Sequence, residues 1–341
     1  MKLKLISLIL ISFFNQLWGS SEPQKLPLTT WGSYFILTHC WSSSELQGHF
    51  SDKQIQKLST LDLMPPARLK PVTSLPILHE SYQGVIRAIR PNTKARYVAL
   101  TFDCCELANS ITGYDYEIVN YLRSHAIPAT FFLGGKWMRS HPEKTMQLIA
   151  DPLFEIGNHT WTHGNLGVMP LKKVRDQVLW TQAQYELFRE EIARRIGQTP
   201  QTHQELRKIP LLPRLIRLPY GRSNSETLKE LQNSGFLVVQ WDVVGEENVP
   251  KELVQQVALK LARKTNSGSI ILLHANAVPK GTSALLPYLV EELQAQGYIF
   301  VTVSELLSKG EPIVSPEGYF SKPGDNLMYD KIYGDGTHRL K

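Results

Sequence analysis

Two short stretches carry side chains that could do chemistry. Residues 101–106 read TFDCCE and residues 158–163 read NHTWTH. In the first, the carboxylate of Asp103 follows an apolar run, with two thiols, Cys104 and Cys105, and a second carboxylate, Glu106, behind it. In the second, His159 and His163 stand four residues apart, so both imidazoles can share one metal ion, on a helical turn or in a compact loop. Neutral imidazole suits zinc, cobalt, nickel or iron. Such an ion wants an anionic third ligand, for which Asp103, Cys104 and Glu106 are candidates, and an open coordination position would take water or a substrate carbonyl. Arg217 and His274 extend the set. Asp103 could accept a proton from water, His274 could donate one to a leaving amine, and Arg217 could hold the carboxylate in place.

Seven apolar, β-branched or aromatic runs must position these groups: YVALTF (97–102), ATFFL (129–133), FEIGN (154–158), LIRL (215–218), FLVVQW (236–241), SIILL (269–273) and YIFVTV (298–303). Runs of this kind, bounded by turn signals, suit buried parallel strands. Between them Val174, Val178, Tyr185, Phe188, Ile192 and Ile196 mark one face of a long helix over 170–196, and Leu253, Val257 and Leu261 mark another after Pro250. Gly235 and Gly297 stand where helix-ending glycines belong. Alternating strands and helices predict an α/β fold with a parallel sheet, closed or nearly closed into a β/α barrel. Chemistry on such a barrel gathers at the carboxyl ends of the strands. Asp103, the 159–163 histidines, Arg217 with Tyr220, Trp241 with Asp242, and His274 all fall at or just beyond such ends.

The sequence resembles a known family in four stretches taken in order: TFD at 101–103, HTWTH at 159–163, RLPYG at 217–221 and LLH at 272–274. They look like the successive motifs of the polysaccharide deacetylases, the NodB-homology or carbohydrate esterase family 4 enzymes, over roughly Tyr97 to Leu307. The resemblance implies a distorted (β/α)7-type barrel. It also implies hydrolytic removal of acetyl groups from N-acetylated sugars in peptidoglycan, chitin-like chains or exopolysaccharide, with a divalent metal. Position by position, it makes Asp103 the base, His159 and His163 metal ligands, Arg217 the residue that tunes the base, and His274 the acid. It places the Tyr220 backbone amide at the developing oxyanion and Leu273 in the wall of the acetyl pocket.

Two motifs depart from the family. Its first motif usually reads T-F-D-D-G, with the second Asp on the metal; here Cys104 holds that position, and the chain resembles a branch written T-F-D-x-C-E. Cys104 is therefore the expected third ligand and zinc the expected ion, with cobalt or nickel as alternatives; Asp103 and Glu106 remain open as ligands. The usual D-x-x-D-W run is replaced by VGEEN at 244–248, which leaves Glu247 or Asp242 to partner Arg217. Trp241 either lines the cleft, and so touches substrate, or packs in the core.

At the amino terminus Lys2 and Lys4 precede an apolar run, Leu5 to Phe14, and then the small residues Gly19 to Ser21. That order predicts a signal peptide over 1–21, too short to span a bilayer. The mature protein is expected to be exported, periplasmic or secreted, and without stable membrane insertion. An extension over 22–92, a barrel over 93–307 and a tail over 308–341 follow, the tail a surface extension unless it caps the barrel or touches the glycan. The net charge is +6, from 37 Lys and Arg against 31 Asp and Glu. With no arginine-rich run or aromatic–basic stripe, it points away from nucleic acid. Three cysteines in an oxidising compartment leave one unpaired; Cys40 could pair with either neighbour, and Cys105 is the expected partner. Two rival functions are a carbohydrate-binding barrel without catalysis and a glycoside hydrolase using Asp103 and Asp242 as its carboxylate pair.

Overall fold

Seven strands of the kind anticipated form a ring in the computed structural model, which describes residues 32–78 and 82–338. They are β1 (Val85–Pro91), β2 (Arg96–Cys104), β3 (Ala129–Leu133), β4 (Phe154–Asn158), β5 (Leu215–Ile216), β6 (Leu237–Val239) and β7 (Ser269–His274). Neighbours run β2-β3-β4-β5-β6-β1-β7, and β7 pairs back onto β2, closing the barrel. Every pairing in the ring is parallel except the short contact of β1 with β7 at Ala88 and Ser269.

One strand differs from expectation. β1 lies inside the stretch assigned to the extension, so the barrel starts at Val85 and not at residue 93. The run Tyr298–Phe300 (β8) instead sits beside the ring, on the first residues of β2. Arg87 and Arg90 break the apolar pattern of β1 and disguise it. Arg87 is nevertheless buried, because its guanidinium donates to the carbonyls of Tyr319 and Phe320, more than 230 residues along the chain. A final strand, β9 (Gly310–Ser315), pairs antiparallel with β1.

Strand alternation sorts the side chains into two layers, as period-two geometry requires. Along β2, Val98, Leu100, Phe102 and Cys104 belong to the large core cluster that includes the surrounding helices, while Ala99 belongs to a second cluster with Phe132, Val239, Ile270 and Leu272. The helices include α1 (Tyr34–Cys40), α2 (Tyr116–Ser124), α3 (Leu171–Ile196), α4 (Ser225–Asn233), α5 (Val254–Lys264) and α6 (Thr282–Ala295). The long helix spans the residues its periodicity predicts. Gly235 and Gly297 both take positive φ after α4 and α6, which lets the chain turn into the next strand.

The described part of the extension packs on the barrel helices. Ile36, Leu37 and Trp41 enter the large core, and the Trp41 indole donates to Glu143 at 2.8 Å. Within the serine run, Ser42 caps a short helix through a reciprocal capping box with Glu45. Gln56–Lys57 then pairs with Ser110–Ile111, next to the loop that follows β2. The expected signal segment lies outside the described residues. Among the described residues no helix is long and apolar enough to cross a membrane. All three cysteines are free, which corrects the expected disulfide: Cys40 sits on α1 near Glu143 and Arg195, whereas Cys105 lies with the histidines of the 159–163 loop.

Candidate active site

The carboxyl ends of β2 and β7 bring the first two groups together. Asp103 and His274 are register partners on these adjacent parallel strands. On β2, Asp103 shares the inner face with Ala99 and Thr101. Its Oδ1 accepts from Arg217 Nη1 at 2.8 Å, and its Oδ2 lies 3.4 Å from His159 Nε2. Arg217 is fully buried. Its other guanidinium nitrogens donate to the carbonyls of Val239 and Gln240, and its plane lies 4.0 Å from the Phe132 ring centroid. This cation is therefore committed to one carboxylate and two carbonyls.

Glu247 does not partner Arg217, as the sequence had allowed; it holds His274. One oxygen accepts from His274 Nδ1 at 2.6 Å, and the other accepts from the His274 backbone amide and the Thr282 hydroxyl. Burial pulls the imidazole pKa down, but the Glu247 carboxylate outweighs it and the pKa rises to about 8. His274 is thus protonated at neutral pH. The stability this pairing contributes is complete below about 6.5, the ordinary histidine value, and is lost as pH rises through about 8. Replacing Glu247 by Gln removes the larger of the two carboxylate contributions and leaves burial opposed only by the weaker pull of Asp103. We expect the alkaline limb of the pH–rate profile of Glu247→Gln to move from near pH 8 to below neutrality, read from kcat/KM over pH 5–10; an unmoved limb would deny Glu247 this role.

The histidine loop is compact rather than helical. Thr160 and His163 both take positive φ, a costly choice for non-glycine residues. The loop is held in that shape from below. Asn158 Oδ1 accepts from the Thr160 amide, and Gln177 Oε1, on α3, accepts from the amides of Trp161 and Thr162. His159 Nδ1 donates to the Arg217 carbonyl at 3.0 Å, which leaves Nε2 as a lone-pair donor, buried and without a hydrogen-bond partner. Burial lowers the pKa of His159 and, more strongly, of His163, so both rings are neutral.

Cys105, not Cys104, joins them. Its Sγ and one nitrogen from each histidine lie within 4.8 Å of one another. Cys104, the expected ligand, points the other way: because Asp103 faces inward at the end of β2, the next residue must face outward, and the Cys104 thiol is fully buried in the large core cluster. Asn276 steadies Cys105, donating to its carbonyl at 3.0 Å and reaching its sulfur at 3.6 Å. Burial raises the Cys105 pKa, an effect that a bound cation reverses. Two neutral imidazoles, one with an orphaned lone pair, and one thiol make a donor set that fits zinc.

Glu106 is not free to ligate. It is fully buried in an ion pair with Lys136 at 2.8 Å and accepts from Ser140 and the Thr112 amide. Removing one partner of such a pair typically costs about 3–5 kcal/mol, so Glu106→Gln should lower the unfolding free energy by a comparable amount in urea titration. Asp242 also lies elsewhere. It accepts from the Ser269 hydroxyl and the Ile270 amide at the start of β7, five and four residues before His274. At about 3.3 Å per residue, that is too far from Asp103 for a glycosidase pair, whose carboxylates stand about 5–10 Å apart.

Tyr220 stands beside the loop with φ of 59°, its ring edge-on to His163 at 4.5 Å. Trp241 takes the second of its two expected places, and Leu273 differs from expectation. Trp241 is 2% exposed and packs on Phe320 and Arg217, so it forms core and not cleft wall. Leu273 shares the outer face of β7 with Ile271, and Leu272 occupies the inner-face cluster. A hollow of about 630 Å³ is lined by Leu46, Tyr116 and Arg123 beside α2, and none of the site residues lines it.

Comparison with known proteins places the chain in a family. The sequence profile of polysaccharide deacetylase matches residues 90–239. A peptidoglycan-N-acetylglucosamine deacetylase of Bacillus cereus is 30% identical over 224 residues, covering 63% of this chain and 70% of the relative. The peptidoglycan-N-acetylglucosamine deacetylase PgdA of Listeria monocytogenes is 27% identical over 231 residues. That match covers 68% of this chain but only 42% of PgdA, so the chain spans less than half the length of that relative. Among solved structures, a peptidoglycan N-acetylglucosamine deacetylase shares the fold with a TM-score of 0.53 and 24% identity, covering 67% of this chain and 94% of the other.

Proposed function

The chain belongs to the polysaccharide deacetylase family, and on that premise we propose that it hydrolyses N-acetyl groups on an N-acetylated glycan of the bacterial envelope or an exopolysaccharide. One observation carries this reading. A carboxylate held by a buried arginine and an imidazolium held by a carboxylate occupy register positions on neighbouring strands, beside a cluster of two imidazoles and a thiol.

His159, His163 and Cys105 would hold a divalent ion, zinc by the softness of the thiolate. Bound there, it supplies Lewis acidity toward the acetyl carbonyl and the attacking water. Asp103 takes the proton from that water as its oxygen attacks the carbonyl carbon. The Tyr220 backbone amide donates to the carbonyl oxygen as negative charge develops on it. His274, protonated through Glu247 and with about 30% of its side chain open to solvent, gives a proton to the sugar nitrogen as the carbon–nitrogen bond breaks. The products are acetate and a free amino sugar. Export to the envelope rests on the charged, apolar and small residues of the first 21 positions, and the glycan class rests on the names of the relatives.

Product analysis tests the proposal. Purified protein with added zinc, incubated with peptidoglycan fragments and chito-oligosaccharides, should yield chains of unchanged length that have lost acetyl groups and gained free amines. New reducing ends would mean glycoside hydrolysis, and glycan retention without product would mean a binding protein.

A further inference from the structure

Residues 318–337 lie past residue 239, where the family profile ends, and none of the steps above uses them. They surround the turn Pro219–Gly221. Asn326, 1% exposed, donates from Nδ2 to the Gly221 carbonyl at 2.7 Å and to the Gly318 carbonyl at 3.2 Å. Arg222, next along the turn, makes a two-pronged pair with Asp330, Nη2 to Oδ2 at 2.8 Å and Nε to Oδ1 at 3.0 Å, and Asp330 also accepts from Asn165. Tyr333, the last residue of the helix α7 (Met328–Tyr333), stacks on Tyr220 at 4.6 Å between centroids.

The segment is pinned at both ends. Arg87 donates to the carbonyls of Tyr319 and Phe320, and the Trp241 indole donates to Phe320. At the far end the Asn165 amide donates to Asp335 and the Ala108 amide to Thr337. Contact with the site is close. A Cβ added to Gly318 would meet the Gly221 carbonyl oxygen at 2.3 Å, and one added to Gly336 would meet the Asn165 amide at 2.4 Å and the His163 carbonyl at 2.8 Å.

Tyr220 needs such support. A left-handed non-glycine residue costs free energy and persists only where its surroundings over-determine it. On the barrel side the turn is held by its own short-range bonds, Gly221 to Leu218 and Arg222 to Pro219. The bonds from Asn326 and Asp330 and the stack of Tyr333 come from the carboxyl-terminal segment. We infer that residues 318–337 form a wall of the active site, and that Asn326, Asp330 and Tyr333 are positioning residues that fix the Pro219–Arg222 turn and, through it, the Tyr220 amide and the His163 ring. On this reading the tail takes the alternative that the sequence left open, a cap on the barrel, and not a surface extension. Its catalytic consequence rests on the deacetylase reading, since a group misplaced by about 1 Å can cost roughly 10²-fold in rate.

Tyr333→Ala, Tyr333→Phe and Asn326→Asp test it by two readouts. In Tyr333→Ala and Asn326→Asp, backbone hydrogen exchange over 215–224 should accelerate by about 10-fold or more while β2 and β3 stay protected. In the same variants kcat should fall about 10–100-fold with KM within about twofold, the pattern of an interaction used in the transition state. Tyr333→Phe keeps the stacked ring and should match wild type in both. If the wild-type protein released no acetate, the deacetylase reading would fail while exchange still decided the clamp. Unchanged exchange in both disruptive variants, or a raised KM with unaltered kcat, would overturn the inference.

Discussion

Asp103→Asn is expected to lower kcat by roughly 10²–10⁴-fold, the range that a positioned general acid or base contributes, in a protein that still folds. Asparagine keeps the shape of the side chain and an oxygen for Arg217, but cannot take a proton from water. The substitution also leaves a fully buried guanidinium without its counter-charge, a loss of about 3–5 kcal/mol where nothing else compensates. Here the carbonyls of Val239 and Gln240 and the face of Phe132 remain around Arg217, so the loss should fall at the lower end. Acetate release and urea titration on the same preparation separate the two effects. Wild-type turnover in Asp103→Asn would remove the residue from the mechanism.

The second large effect contrasts two neighbours. Cys105→Ala should weaken zinc binding by more than the roughly 10–100-fold that loss of an outer-shell partner costs, because it removes a donor atom. Cys104→Ser should bind zinc as wild type does. It places a hydroxyl in the buried layer of Val98, Leu100 and Phe102, where the Ala275 backbone is the polar group at hand, so the loss should fall toward the lower end of the roughly 1–3 kcal/mol that a buried hydroxyl costs when left unsatisfied. Zinc titration against a competing chelator reads the first effect, and thermal or urea unfolding the second. If Cys104→Ser lost the metal and Cys105→Ala kept it, the assignment of inner and outer faces at the end of β2 would be wrong.

That pair also shows where sequence reading succeeded and where it stopped. The convergence of Asp103, His159, His163, Arg217 and His274 was legible because side chains at the ends of successive apolar runs must meet once the sheet closes. The thiol that joins the two histidines was legible too, but by a different rule. Alignment with the family motif points to Cys104, whereas simple alternation from an inward Asp103 sends Cys104 outward and leaves Cys105 to return to the site. Leu272 and Leu273 exchange places for the same reason.

Other features had no local signal. β1 is interrupted by Arg87, whose burial is tolerable only because carbonyls of residues 319 and 320 reach it. Glu247 sits in a run with no periodicity, and its commitment to His274 over Arg217 depends on the approach of two segments 27 residues apart. Glu106 looked like a ligand until Lys136, 30 residues on, claimed it. The role of residues 318–337 rests on contacts with residues 87, 108, 165, 220 and 222, each far away in sequence.

The most direct test of the central claim is acetate release from an N-acetylated glycan by the purified protein, measured as isolated, after chelation and after zinc is returned. The account predicts acetate in equal amount to new free amine, abolished by the chelator and restored by zinc. No acetate from any N-acetylated glycan, with zinc, cobalt or nickel present, would contradict it.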